Sequence, residues 1–338
     1  MSITTVRRFH ALTTLAIVFL ASFILSCALG RYPVHPMTVI QLLLSRFLPM
    51  DATWAPQAET VLFRVRLPRV AAAALVGAAL SGAGVAYQGL FRNPLVSPDV
   101  LGVSAGSGFG AALAIFFSFG AALTMLVSFG FGVATAVLVG ILAGKPRGDA
   151  TILLVLCGIT AGSLFSSATS FLKLMADPNN VLPAITYWLM GSLASIRGRD
   201  FVFAGPPILA ALGLLWMLRW RLNVLTMGED EARALGTNVP LARTLVIAGA
   251  TLATAASVSI SGMIGWIGLV VPHLARMLVG NDYRILLPAS MLMGATFLLA
   301  VDDIARLVAS SEIPLGILTS FVGAPFFLYL VRRQGRTA

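Results

Sequence analysis

The stretch RVRLPR places Arg64, Arg66 and Arg69 within six positions, directly before a run of small apolar residues. Each guanidinium offers a planar fork of donors suited to carboxylates or phosphates. Arg306 follows Asp302 and Asp303 late in the chain. A second charged stretch, GEDEARALG, runs from Gly228 to Gly236. Glu229, Asp230 and Glu231 would load the first turn of a helix, where the backbone dipole favours anions, with Ala232 and Arg233 following. Gly228 and Gly236 each suit a left-handed helix stop, so the surrounding loop reads as two short helices. A third stretch carries Thr160, Ser163, Ser166, Ser167, Thr169 and Ser170 on one apolar helix. Such hydroxyls either line a polar path or bond to their own backbone and to neighbouring helices.

Other chemistries find no support. GILAGKP at 140–146 has three residues between its glycines and a proline where a phosphate loop needs Ser or Thr, so the chain has no ATP site of its own. Cys27 and Cys157 both fall in apolar runs and imply neither a disulfide framework nor a metal site. His273 is read as structural. No cofactor is expected in this chain, and no nucleic-acid partner.

The elements that must position these groups are membrane helices. Of 338 residues, 58% are hydrophobic and 11% charged, with a mean hydropathy of +0.92. A span needs about 20 apolar residues. Runs fall near 11–30, 70–91, 95–117, 120–142, 150–174, 201–218, 243–264, 265–279, 286–308 and 313–331, which predicts an all-α polytopic protein with about ten transmembrane helices. No remaining stretch holds a soluble domain, so residues 1–338 form a single transmembrane domain. The loop 220–243 is its longest cytoplasmic connection.

Ten spans put both termini on one side. The basic residues Arg7, Arg8, Arg332, Arg333 and Arg336 place that side in the cytoplasm, together with Lys145, Arg147 and the arginines of 219–243. Arg64, Arg66, Arg69 and Arg306 then lie outside, against the usual charge bias. An outer partner presenting carboxylates, or snorkelling to lipid headgroups, would account for them. The predicted span interiors carry almost no ionisable groups. Ion-coupled carriers usually keep such groups, so a separate ATPase is the favoured source of energy over an ion gradient.

Pro68 starts a helix that carries Gly77, Gly82 and Gly84, and Asn93, Pro94 and Pro98 break the chain after it. SG…GL…P at Ser81–Pro94 returns, shortened, at Ser261–Pro272. This hints at two five-helix halves, inverted relative to each other because five is odd. GAP at 323–325 is expected to break the last span.

RLPR, Q-x-x-x-x-NPL from Gln88, WLMGSL at 188–193, SGMIGWIGLVVPHLAR from Ser261, and DDIARL with EIPLG closely resemble the FecCD-type permeases. These are the membrane subunits of ATP-binding-cassette importers for iron-siderophores, haem and cobalamin, and the resemblance spans nearly the whole chain. It implies a ten-helix subunit that pairs with a second copy in the bacterial inner membrane. Two cytoplasmic subunits would bind ATP and Mg, and a periplasmic binding protein would deliver the cargo. It also implies receptor docking by Arg66, Arg69 and Arg306. ATPase coupling would fall to Gly228, Glu229, Asp230, Glu231, Ala232, Arg233 and Gly236. The wall of the path is expected on the hydroxyl-rich helix at Thr160, Ser163, Ser166, Ser167 and Ser170. Iron-siderophore is the favoured cargo; haem, cobalamin and a molybdate-type oxyanion stay open, as does an ion-coupled carrier or channel.

Overall fold

The structure is a computed structural model that describes residues 3–30, 32–49, 54–144, 150–309 and 311–334. Lys145, Arg147 and Arg336, used above for orientation, lie outside the described residues. Every regular element among the described residues is helical. The helices are α1 (Ile3–Ala28), α2 (Pro36–Leu44), α3 (Pro56–Thr60), α4 (Leu67–Leu90), α5 (Val103–Phe116), α6 (Ala121–Ala143) and α7 (Ala150–Met175). They continue as α8 (Val181–Leu189), α9 (Gly198–Met227), α10 (Glu229–Ala234), α11 (Val239–Ser261), α12 (Ile267–Val279), α13 (Tyr283–Leu307) and α14 (Leu315–Gln334). Seven helical stretches are long and apolar enough to cross a membrane, and Val103–Phe116, Ile267–Val279 and Leu315–Tyr329 are shorter apolar helices. The expected ten are reached only if those three cross as well.

At the centre lies α4, which packs on α13, α11, α9 and α12. Its small residues make this possible. A Cβ on Gly77 would collide with the Gly294 carbonyl oxygen of α13, and one on Gly84 with the Gly268 carbonyl oxygen of α12. Lipid offers apolar side chains no advantage in leaving it, so close backbone approach and dispersion contacts carry this packing. α3 joins α4 through a π-helical stretch, Val61–Arg66, making one helix from Pro56 to Leu90. Against expectation, then, the second span begins well before 70.

In the echoed SG…GL…P pattern, Ser81 and Gly82 are inside α4, and Gly262, at φ +68°, ends α11. Two further expectations are corrected. α14 runs unbroken through Pro325. Gly323 gives room there to Trp266, whose ring packs at 6.2 Å from Phe327. In the cytoplasmic connection α9 continues to Met227, leaving one separate helix, α10, where two were expected.

Several quoted motifs prove to be joints. Gln88 donates to Val96 O and Gly268 O and accepts from Arg276 Nη2 at 3.0 Å, tying the segment after α4 to α12. In WLMGSL, the carbonyls of Met190 and Gly191 accept from Gly316 N and Leu315 N, satisfying donors that the start of α14 would otherwise leave unpaired.

Candidate functional site

Three sites arise where helix ends or breaks meet. The first is at the shared end of α1, α4 and α13. Arg69 Nε lies 3.0 Å from both carboxylate oxygens of Asp302, Nη2 lies 2.8 Å from Oδ1, and Nη1 lies 2.8 Å from Glu312 Oε1. Asp302 also faces Arg306 Nε at 3.2 Å, an ion pair one helical turn apart on α13, and Arg306 pairs with Asp303 as well. Asp303 in turn accepts from Ser26 Oγ of α1. Arg66 takes backbone partners: its Nη1 donates to Cys27 O and Ala28 O, and its Nη2 to Tyr32 O. It thereby caps the carbonyl end of α1, where a cation is favoured. Gly30 leaves the room this needs, because a Cβ there would occupy the guanidinium's space, and its φ of +149° suits glycine.

This geometry corrects the expectation that the arginines face outward. Arg66 is 4% exposed and Arg69 8%, and the Arg306 side chain is 9% exposed. Buried charges require compensation, which three carboxylates, five backbone carbonyls and the Ser26 hydroxyl supply. Arg64 is the exposed member of the RVRLPR cluster, with no ion pair among the described residues. Asp302 and Glu312 were missed as partners. The spacing of Asp302 and Arg306 was legible as one helix face, but Glu312 meets Arg69 only through the turn after α13.

The second site is the cytoplasmic connection. Glu229 turns inward to hold Arg243 Nη1 of α11 at 2.6 Å, and its other oxygen takes Arg233 at 3.2 Å. Ala232 is fully buried beneath. Asp230, Glu231, Arg233 and Leu235 are exposed, so α10 offers a mixed face outward while Glu229 anchors it. Gly236 has the expected left-handed φ of +77°; Gly228, at φ +135° and ψ 165°, is in an extended conformation reserved for glycine. Nearby, Asp282 caps α13, accepting from Arg284 and from Asn223 Nδ2 of α9 at 2.7 Å. These donors, the Arg284 guanidinium first, hold its carboxyl well below the usual carboxylate range.

The third site is a cavity of about 440 Å³ lined by Asp99, Gly102, Ser104, Gly108, Gly158, Gly162, Ser166, Thr169, Ser170, Lys173, Leu189 and Met263 among others. Its track along α7, from Gly158 to Lys173, measures about 22 Å at 1.5 Å per residue. The segment 91–102 folds back into the bundle: Gly102 sits against Gly158 and Gly162, and Pro98 against Gly268. Irregular backbone at such depth occurs where it is buried in protein or lines a cavity. Asp99 accepts from Ser104 Oγ at this break.

Of the expected wall residues, Ser166 and Ser170 line this cavity, as does Thr169. Thr160, Ser163 and Ser167 do not; they are exposed on α7, and Thr160 donates to Leu156 O. Asp99 and Lys173 also border the space. Asp99 could not be placed beside α7 from sequence, because only the folding back of 91–102 brings it there, whereas Lys173 lies on α7 itself.

A helical bundle with inward-packed glycines, a buried charge cluster at one end and an anchored helix at the other defines a membrane permease. Residues 17–333 match the model of the FecCD transport family, and the chain belongs to that family. It is 41% identical over 322 residues to the molybdate import system permease protein MolB of Haemophilus influenzae, covering 95% of each chain. It is 40% identical over 276 residues to the cobalamin import system permease protein BtuC of Halobacterium salinarum, covering 81% of this chain and 74% of that one. A solved structure described as an inward-facing conformation of a candidate metal-chelate type ABC transporter superposes with a TM-score of 0.84. It is 40% identical and covers 95% of this chain and 98% of the other. The chain is accordingly the membrane subunit of an ABC importer, and ATP hydrolysis is carried by a partner ATPase rather than by this polypeptide.

Proposed function

We propose that this permease passes a metal-bearing anion, of the molybdate type, from a periplasmic binding protein to the cytoplasm across the bacterial inner membrane. The observation that carries the cargo reading is the cavity along α7, where Lys173 and the hydroxyls of Ser166, Thr169 and Ser170 border one track. Lys173 and the Ser166 hydroxyl are the donors open to an oxyanion, which needs hydrogen-bond donors in place of water; Thr169 and Ser170 donate to Phe165 O and Ser166 O, and Asp99 accepts from Ser104. The full-length likeness to a molybdate permease points the same way. An iron-siderophore, haem or cobalamin would be accommodated if pairing with a second copy widened the track. The exposed apolar residues Ile152, Leu156, Ile159, Leu164 and Phe171 on α7, and Phe321 on α14, are the surfaces we assign to that second copy.

Two ATP- and Mg-binding subunits would take the exposed face of α10, leaving both termini of this chain cytoplasmic. The binding protein would dock at the outer mouth beside Arg64; its carboxylates could reach Arg69 and Arg306 only by displacing Asp302, Asp303 and Glu312, and Arg66 only by displacing the carbonyls of Cys27, Ala28 and Tyr32.

The test is uptake into proteoliposomes holding the permease, its ATPase and its binding protein, with labelled molybdate and a labelled iron chelate compared. ATP-driven molybdate uptake that falls at least tenfold in Ser166→Trp supports the reading. Chelate uptake with no molybdate uptake would overturn the cargo assignment, and uptake driven by an ion gradient with no ATPase present would overturn the importer mechanism.

A further inference from the structure

A second cavity, of about 560 Å³, lies apart from the track along α7. One wall is α6 with its cap residue, where Ala136, Gly140 and Gly144 fall four residues apart; the other is α11, with Pro240, Thr244, Ala248 and Leu252 at the same spacing. Leu90, Phe91 and Leu154 close its ends. Small residues in register are what open it: a Cβ at Gly140 or Gly144 would meet nothing within 4 Å. From Pro240 to Leu252 the trough is about 18 Å long. That slightly exceeds the roughly 15 Å of one leaflet's share of a 30 Å hydrocarbon core.

Its polarity is one-sided. Arg243, near the start of α11, is the only charged side chain in the lining among the described residues. Thr244 already donates to Pro240 O, and Thr251 is paired with Tyr87. Arg243 gives Nη1 to Glu229, while its Nε and Nη2 have no hydrogen-bond partner among the described residues. Arg92, which follows Phe91 at the same end, is exposed. The trough therefore carries its cationic groups at the end where α4 finishes and α11 begins, and apolar walls beyond. Val137, Ile141 and Leu142 continue it onto a surface of exposed apolar side chains.

We propose that this trough holds one anionic glycerophospholipid of the cytoplasmic leaflet, its phosphate on Arg243 and an acyl chain between α6 and α11. Apolar length matched to a leaflet, open continuity with a lipid-facing surface and cationic groups at the headgroup end fit that occupant. Because Arg243 also anchors Glu229, the lipid phosphate and the coupling helix α10 share one guanidinium. Lipid charge thereby bears on how firmly α10 is held.

The assembled importer, permease with ATPase, would be labelled in nanodiscs with photoactivatable phosphatidylglycerol and, separately, with the matching phosphatidylcholine. Phosphatidylglycerol is expected to label peptides 133–144 and 240–252 about tenfold more than phosphatidylcholine does, because the choline cation offsets the phosphate charge and is repelled by Arg243 and Arg92. Arg243→Gln should abolish that preference, and Gly140→Trp, which fills open space, should abolish labelling of both peptides while the complex still elutes intact. Label spread evenly over all lipid-facing helices, or unchanged in both variants, overturns the proposal. So does a Val137→Cys variant that forms a disulfide between two permease copies, since the trough would then belong to the subunit interface. Should a variant fail to assemble, the labelling ratio in the unaltered complex decides alone.

Discussion

Replacing Arg69 with methionine separates a buried latch from a docking group. Methionine keeps most of the apolar stem, so the chief loss is charge. Four donor contacts disappear, three to Asp302 and one to Glu312, at 2.8 to 3.0 Å. Removing one side of a buried ion pair costs about 3–5 kcal/mol, because the survivor is left uncompensated. Here Asp302, 1% exposed, keeps Arg306 at 3.2 Å, and the Glu312 side chain is 32% exposed. Both place the loss at the lower end, about 3 kcal/mol. Asp302→Leu alone should cost a similar amount, and the double variant about 2 kcal/mol less than the sum, since the unpaired charge is removed with its partner. The assay is denaturant unfolding of the purified permease in mild detergent. Receptor affinity would be measured in parallel over a salt series. Arg64→Glu is the contrast: exposed and with no ion pair among the described residues, it should leave stability within about 0.5 kcal/mol. Its receptor binding should weaken, more at low salt than at high. An Arg69→Met protein as stable as the parent, with receptor affinity lost on a steep salt slope, would refute the latch.

Glu229→Gln should leave ATPase activity in the assembled importer while transport falls several-fold, because α10 loses its 2.6 Å anchor to Arg243; transport at the parental rate would sink this. Gly77→Val should cost about 3 kcal/mol or more and lower the yield of folded permease, its side chain meeting the Gly294 carbonyl, whereas Gly140→Ala, in open space, should be tolerated. Asp282 has a depressed folded-state pKa, so its contribution to stability is complete above the ordinary carboxylate pKa of about 3.9 and is lost as pH falls below that. Unfolding midpoints should be flat on its account from pH 8 to 5, with a shallower acid limb in Asp282→Asn. Lys173→Met should reduce molybdate uptake several-fold without altering receptor binding, measured in the same proteoliposomes.

What could be read along the chain was whatever depends on local composition and spacing. Long apolar runs impose helices on a membrane protein because hydrogen bonds unmade in hydrocarbon are costly, and the family motifs fixed the class of transporter. The glycines after Pro68 were visible on α4, and the acidic first turn marked α10. Partnership between distant segments could not be read. RVRLPR carries no sign that Asp302 and Glu312, some 230 to 240 positions away, would neutralise Arg69, nor that Arg66 would cap α1. A charge cluster looks the same in sequence whether it faces water or a counter-ion, and only the packing of α1, α4 and α13 decides which. Likewise the folding back of 91–102 brought Asp99 to α7, and the register of α6 against α11 opened a trough. Sequence sets which groups each helix carries; the energy of burying a charge or leaving a void is settled by what the neighbouring helix places opposite.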